Sequence, residues 1–159
     1  MENLLEWRGI KDVNKFLQPT GEFLNDFHLL DNLGSAVELV HNVLENKQRV
    51  CLVVDADVDG YTSGAIIARF LAHIRPEENF ISFKLHDGKQ HGLEDMIDEI
   101  VDDIDKGEEY GLVILPDSST NDFEYHEKLG ELGIPVLVLD HHDLEEDTGV
   151  SKNVIIVNN

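Results

Sequence analysis

With a single cysteine, Cys51, the chain cannot close an internal disulfide. Covalent cross-linking is therefore excluded as a source of stability, and a reducing compartment such as the cytoplasm fits. Cys51 sits inside an apolar run and reads as a buried structural thiol. Basic residues are scarce: 12 Lys+Arg stand against 33 Asp+Glu, a formal net charge of -21. A surface of that sign repels DNA, RNA and anionic membranes, so a phosphate-bearing substrate needs local help, most simply from bound cations. No apolar stretch approaches the ~18 residues of a membrane span. The opening "MENLLEWRGI" lacks a basic segment followed by an apolar one. The expectation is a protein neither embedded in a membrane nor exported. Internal repeats and low-complexity linkers are also missing.

At 159 residues and 42% hydrophobic content, the chain has material for one core of ordinary domain size. Residues 1–34, punctuated by Pro19, Gly21 and Gly34, read as an irregular N-terminal arm packed through Phe16, Leu17, Phe23 and Phe27 on a domain spanning 35–159. "SAVELVHNVLENK" reads as a helix capped by Ser35, with Glu38 three residues on and Val37, Val40 and Leu44 on one face. Short apolar or β-branched runs follow at 49–54, 79–85, 111–115, 135–139 and 153–157, with helical stretches at 62–74, 93–105 and 122–133 between them. Continuous apolar strands separated by helices predict a mainly parallel, doubly wound α/β sheet flanked by helices. The acid-rich segment 94–109 reads as a solvated helix face and the turn after it.

Three of the strands end in aspartate. "CLVV" runs into Asp55, "LVIL" into Pro116-Asp117 and "VLVL" into Asp140-His141-His142. In open parallel sheets, ligands bind beyond the carboxyl ends of the strands. If the three strands are neighbours, Asp55, Asp57, Asp59, Asp117, Asp140, His141 and His142 converge. Crowded carboxylates raise one another's pKa unless a cation neutralises them. Oxygen and imidazole donors without thiolate suit manganese, magnesium, zinc or cobalt. Two such ions about 4 Å apart activate a water and stabilise charge on a phosphoryl group. Thr62 and Ser63 after Gly60 read as helix-opening residues that cap the helix, receive a phosphate, or both. Ser118 and Ser119, with Thr120 and Asn121, read the same way at the next helix start, as caps or substrate contacts.

These residues resemble a known family. "DADVDGYTSG" and "LDHH" look like the first and third motifs of the DHH phosphoesterase superfamily, in the form typical of its RecJ branch of single-strand-specific exonucleases. "WRGIKDVNKFLQP", "EKLGELGIPVLVLDHHDLEED" and "VIIVNN" extend the likeness over nearly the whole chain. The resemblance implies that Asp57, Asp59, Asp117 and His141 ligate two Mn2+ or Mg2+, with Asp117 bridging. It implies that Asp55 and Asp140 ligate or orient ligands, and that His142 contacts the scissile phosphate or assists proton transfer. It further implies 5′ to 3′ hydrolysis of single-stranded DNA in recombination and repair, with protein partners in repair or replication. The sequence departs from the family by placing Ser118 and Ser119 where a glycine usually follows the second-motif aspartate. It also stops before the fourth motif and the nucleic-acid-gripping domain, so the expected form is a catalytic core lacking those parts. "HDGKQHGLED" stands in place of an arginine- and tyrosine-bearing segment, so His86, Lys89 and His91 are candidates to line the cleft, His91 as a substrate contact; solvated loop residues are the other reading. The alternatives are a DHH hydrolase of small phosphates (short oligonucleotides, cyclic dinucleotides, pyrophosphate), which the acidic surface favours, and a non-catalytic interaction module of the same fold.

Overall fold

Five short runs, four of them mostly β-branched or leucine, form one sheet in the computed structural model: β1 (Val50–Val54), β2 (Ile81–Leu85), β3 (Leu112–Pro116), β4 (Val136–Asp140) and β5 (Val154–Asn158). The structure describes all residues except 1, 19, 22–24, 89, 146–148, 150 and 159. The strand order is β2-β1-β3-β4-β5 and every pairing is parallel. The doubly wound α/β reading therefore holds, and β1, β3 and β4 are indeed neighbours.

Successive side chains on a strand point to opposite faces, so each central strand feeds two cores. On one face Cys51, Val53, Val113, Leu115, Val136 and Val138 pack with Met96, Ile97, Ile100 and Leu129. These last come from α5 (Ile97–Asp105), the turn before it, and α6 (Phe123–Glu131). On the other face Val50, Leu52, Val54, Leu112, Ile114 and Leu137 meet Ala36 and Val43 of α3 (Leu33–Glu45) and Leu71 of α4 (Val58–Ile74). The chain thus leaves β1 for α4 on one face and leaves β3 for α6 on the other. That divergence opens a crevice at the carboxyl ends of β1 and β3, where sheets of this order bind ligands.

Several boundaries differ from the sequence reading. The first long helix starts at Leu33, with Asn32 rather than Ser35 at the N-cap position, in a left-handed conformation (φ 62°) and without a side-chain capping bond, and Val37 is exposed. The second begins four residues early because Asp57, not a residue at 62, caps it. Residues 93–96 precede α5 as turns, and Asp122 stands at the start of α6. Among the described residues the N-terminal arm holds the short helices α1 (Glu2–Trp7) and α2 (Val13–Leu17) and a 3-10 turn at Phe27–Leu29, rather than irregular chain alone. Phe16, Leu17 and Phe27 are about half exposed or more, so they do not pin it down; Phe23 and Pro19 lie outside the described residues. The α5 acids are not all solvated: Asp103 accepts from Lys84 at 2.7 Å and from Tyr110 at 2.8 Å. Cys51 is fully buried, and burial pushes its thiol up to about 12.

Leu71 joins α4 to the sheet at 1% exposure, whereas Ile66 on the same helix is 69% exposed. Leu71→Ala should lower the unfolding free energy by about 2–5 kcal/mol in a urea titration. Ile66→Ala should change it by less than about 1 kcal/mol. Equal effects would contradict this placement of the helix.

Candidate active site

Asp55 leaves β1 and is immediately roofed by the first turn of α4. A methyl group at Gly60 would lie 2.6 Å from Asp55 Cβ and 2.7 Å from its carbonyl oxygen, so only glycine allows this approach. Asp57 caps the helix, accepting from the Gly60 amide at 2.9 Å. That bond, more than any other contact, holds the Asp57 carboxyl below its usual range. Asp59 follows in the first turn and is exposed.

Asp117 ends β3 in a left-handed backbone conformation (φ 67°), with its amide donating to Leu139 O at 2.8 Å. Burial first, then the charges of Asp59 and Asp57, push its carboxyl up. His141 answers that charge: its Nε2 lies 3.0 Å from Asp117 Oδ1 and 4.0 Å from Asp59 Oδ2.

Asp140, at the end of β4, organises the chain around it. Its Oδ1 accepts from the His141 amide at 2.7 Å and meets His142 Nδ1 at 2.7 Å, while Oδ2 accepts from the Thr120 hydroxyl at 2.6 Å and amide at 3.1 Å. Burial opposes ionisation here, but the bonds from Thr120, His142 and the two amides prevail and hold the carboxyl at about 2. The same bond raises the His142 pKa. Asn158 of β5 donates to Thr120 Oγ1 at 3.1 Å and to His142 O at 2.8 Å, locking the corner.

Among the described residues, two sets of side chains offer donor atoms within 4.8 Å of one another: Asp55, Asp57 and Asp117, and Asp117, Asp140, His141 and His142. Asp117 belongs to both. Three carboxylates that repel one another, one of them driven toward its neutral form, together with imidazole and no thiolate, fit a hard or borderline divalent cation. Asp140 has less to offer a cation than the others, because both its oxygens already accept hydrogen bonds.

Other candidates stand apart. The Thr62 and Ser63 hydroxyls return to the carbonyls of Asp59 (3.1 Å) and Gly60 (3.0 Å), within the helix and not at its opening. Ser118 and Ser119 are buried, their hydroxyls unpartnered among the described residues, and Ser119 has φ 78°. His86 does not line the cleft: it is buried behind Asp55, with Nε2 2.8 Å from Gly92 O and Nδ1 3.2 Å from Asp55 Oδ1. His91 does face the site, its Nδ1 2.5 Å from Asp55 Oδ2. Lys89 lies outside the described residues. Sequence reasoning missed the support given by Thr120 to Asp140, by Asn158 to both Thr120 and His142, and by Gly60 to Asp55; the only signal for Asn158 was its place at the end of a strand.

The Asp140–His142 pair makes stability pH-dependent. The contribution of Asp140, whose pKa is depressed from 3.8 to about 2, is present above 3.8 and lost as pH falls toward 2. The contribution of His142, whose pKa is raised from 6.5, is present below 6.5 and lost as pH rises through the folded value. In chelator, the melting-temperature deficit of His142→Asn should therefore be largest between about pH 4 and 6.5 and shrink on either side. A deficit constant from pH 3 to 9 would contradict the pairing.

Residues 49–159 match the DHH family, N-terminal domain. Over 159 residues the chain is 38% identical to the protein of Bacillus subtilis (strain 168) named as an SPbeta prophage-derived single-strand DNA-specific exonuclease, YorK. It is 27% identical, over 98% of its length, to the single-stranded-DNA-specific exonuclease RecJ of Escherichia coli (strain K12). It spans 26% of the length of each of these relatives. The crystal structure of RecJ in complex with Mn2+ from Thermus thermophilus superposes with a TM-score of 0.66 at 22% identity, covering 97% of this chain and 20% of that one. A five-stranded parallel sheet whose switch point gathers the DHH triplet with the aspartates of two neighbouring strands, and a family match over most of the sequence, together place this chain in the DHH family.

Proposed function

We propose that this chain is the metal-dependent catalytic core of a RecJ-like exonuclease that hydrolyses single-stranded DNA 5′ to 3′ with two divalent cations, manganese or magnesium. The observation that carries this is the meeting of Asp55, Asp57 and Asp117 within 4.8 Å at the switch point, with His141 on Asp117. Relatives named as single-strand-specific exonucleases, and a Mn2+ complex of the same fold, support it.

In this reading Asp57, Asp59, Asp117 and His141 are the residues that would hold the cations. Cations bound there would supply Lewis-acid charge and a nucleophile from water at neutral pH. Asp140 fixes the His142 ring through Nδ1, leaving Nε2 to contact the scissile phosphate or transfer a proton. Asp55 orients the first turn of α4 and faces the cluster. Thr62, Ser63, Ser118 and Ser119 would act by shaping the backbone around the site, since their hydroxyls are bonded within the helix or buried. Partners in DNA repair or replication and a cytoplasmic location belong to this proposal.

One observation favours a second reading, hydrolysis of small phosphates. The chain carries a net charge of -21, which gives little of the cationic surface that grips long single strands. The presence of Asp57, Asp59, Asp117, His141 and His142 together argues against a non-catalytic module.

Incubation of the chain with Mn2+ and 5′-labelled single-stranded DNA or a thymidine dinucleotide separates these readings. Release of 5′-labelled mononucleotide, reduced at least about 100-fold by Asp57→Ala, is the outcome expected for the exonuclease. Cleavage of the dinucleotide alone would favour the small-phosphate reading. Hydrolysis undiminished in Asp57→Ala would overturn the site.

A further inference from the structure

Building on the phosphodiesterase reading, we infer that His91 is a substrate-contacting residue whose Nε2, together with that of His142, grips a phosphate oxygen over the carboxylate cluster. The site is built the same way on both sides of β3. At the end of β1, Asp55 Oδ2 holds His91 Nδ1 at 2.5 Å; at the end of β4, Asp140 Oδ1 holds His142 Nδ1 at 2.7 Å. The two rings meet edge to face with centroids 5.4 Å apart. In each, the carboxylate engages the near nitrogen and leaves Nε2 as the far nitrogen. His91 Nε2 has no partner among the described residues, and its side chain is 53% exposed.

Exposure does not make His91 loosely placed. The His86 amide donates to Val54 O at 3.1 Å, and His86 Nε2 lies 2.8 Å from Gly92 O. The His91 amide donates to Asp95 Oδ2 at 2.9 Å and the Leu93 amide to Asp122 Oδ2 at 2.6 Å. Between them Gly92 adopts φ 70°, and a Cβ there would lie 2.5 Å from Asp122 Oδ2. The loop is clamped to β1 on one side and to the start of α6 on the other, and it carries His91 into the site.

Charge gives the pair its purpose. Among the described residues, the side chains paired with Asp55, Asp117 and Asp140 are imidazoles. On a chain of net charge -21, an approaching phosphate needs nearby donors. Two anchored imidazoles side by side suit the oxygens of one phosphate, whether a monoester or a diester.

Calorimetry on the Mn2+-loaded chain with thymidine 5′-monophosphate tests this, using His91→Asn and His91→Gln. Asparagine places an amide near Nδ1 and preserves the link to Asp55; glutamine places one near Nε2. The inference predicts that His91→Asn weakens nucleotide binding at least tenfold while changing Mn2+ affinity by less than threefold, and that His91→Gln restores most of the loss. Rescue by asparagine rather than glutamine would make His91 a support for Asp55 and overturn the inference. So would a tenfold loss of Mn2+ affinity in both variants, or no nucleotide binding by the unaltered chain. Asp57→Ala, run in parallel, reports separately on the metal site: Mn2+ binding that survives it contradicts the phosphodiesterase reading, whatever His91 does.

Discussion

Asp117 carries a charge in the place least suited to it: at the end of a buried strand, with the carboxylates of Asp57 and Asp59 nearby and burial adding to their repulsion. Around that constraint the rest of the crevice is arranged. His141 Nε2 lies 3.0 Å from Asp117, Asp57 is anchored by its own helix amide, and Asp55 is held between two histidines. A sheet that only had to be stable would not gather these groups; a divalent cation gives the gathering a physical reason.

The parallel sheet supplies the convergence, and glycine and strain supply the closeness. Gly60 lets α4 begin directly over Asp55. Asp117 and Ser119 both take left-handed backbone conformations, which side-chain-bearing residues adopt at a cost of about 1–3 kcal/mol each. Non-glycine residues persist there only where the surroundings over-determine them. The chain from Asp117 to Thr120 is held by the Leu139 carbonyl at one end and by Asp140 at the other. Strain next to the carboxylate cluster is thus balanced by the best-satisfied carboxylate in the site.

Much of this was legible in the sequence, and the reasons are specific. Continuous apolar runs such as "VCLVV" and "LVIL", too short for helices and bounded by turn residues, read as strands buried on both faces, so the parallel sheet followed from them. Aspartates at three strand ends marked the crevice because strand ends, unlike helix boundaries, are fixed by the apolar pattern itself. The helix starts were harder: Ser35 and Thr62 are good caps by type, yet the helices begin earlier, after Asn32 and after Asp57, and of these two Asp57 accepts from a first-turn amide. The supporting roles of Thr120, Asn158 and the buried His86 were not legible because they run through contacts up to 38 residues apart that no local spacing reveals. Phe16, Leu17 and Phe27 read as anchors because they are large and apolar, but size alone does not bring a side chain into a core.

The claim on which the account stands is that the crevice is a set of like charges awaiting a cation, and thermal unfolding of Asp117→Asn with and without Mn2+ tests it most directly. Removing one repelling charge should leave the variant as stable as the unaltered chain, or more stable, in chelator; saturating Mn2+ should then raise the melting temperature of the unaltered chain and not that of the variant. A variant that melts well below the unaltered chain in chelator, yet gains as much from Mn2+, would show that Asp117 supports the fold rather than the metal.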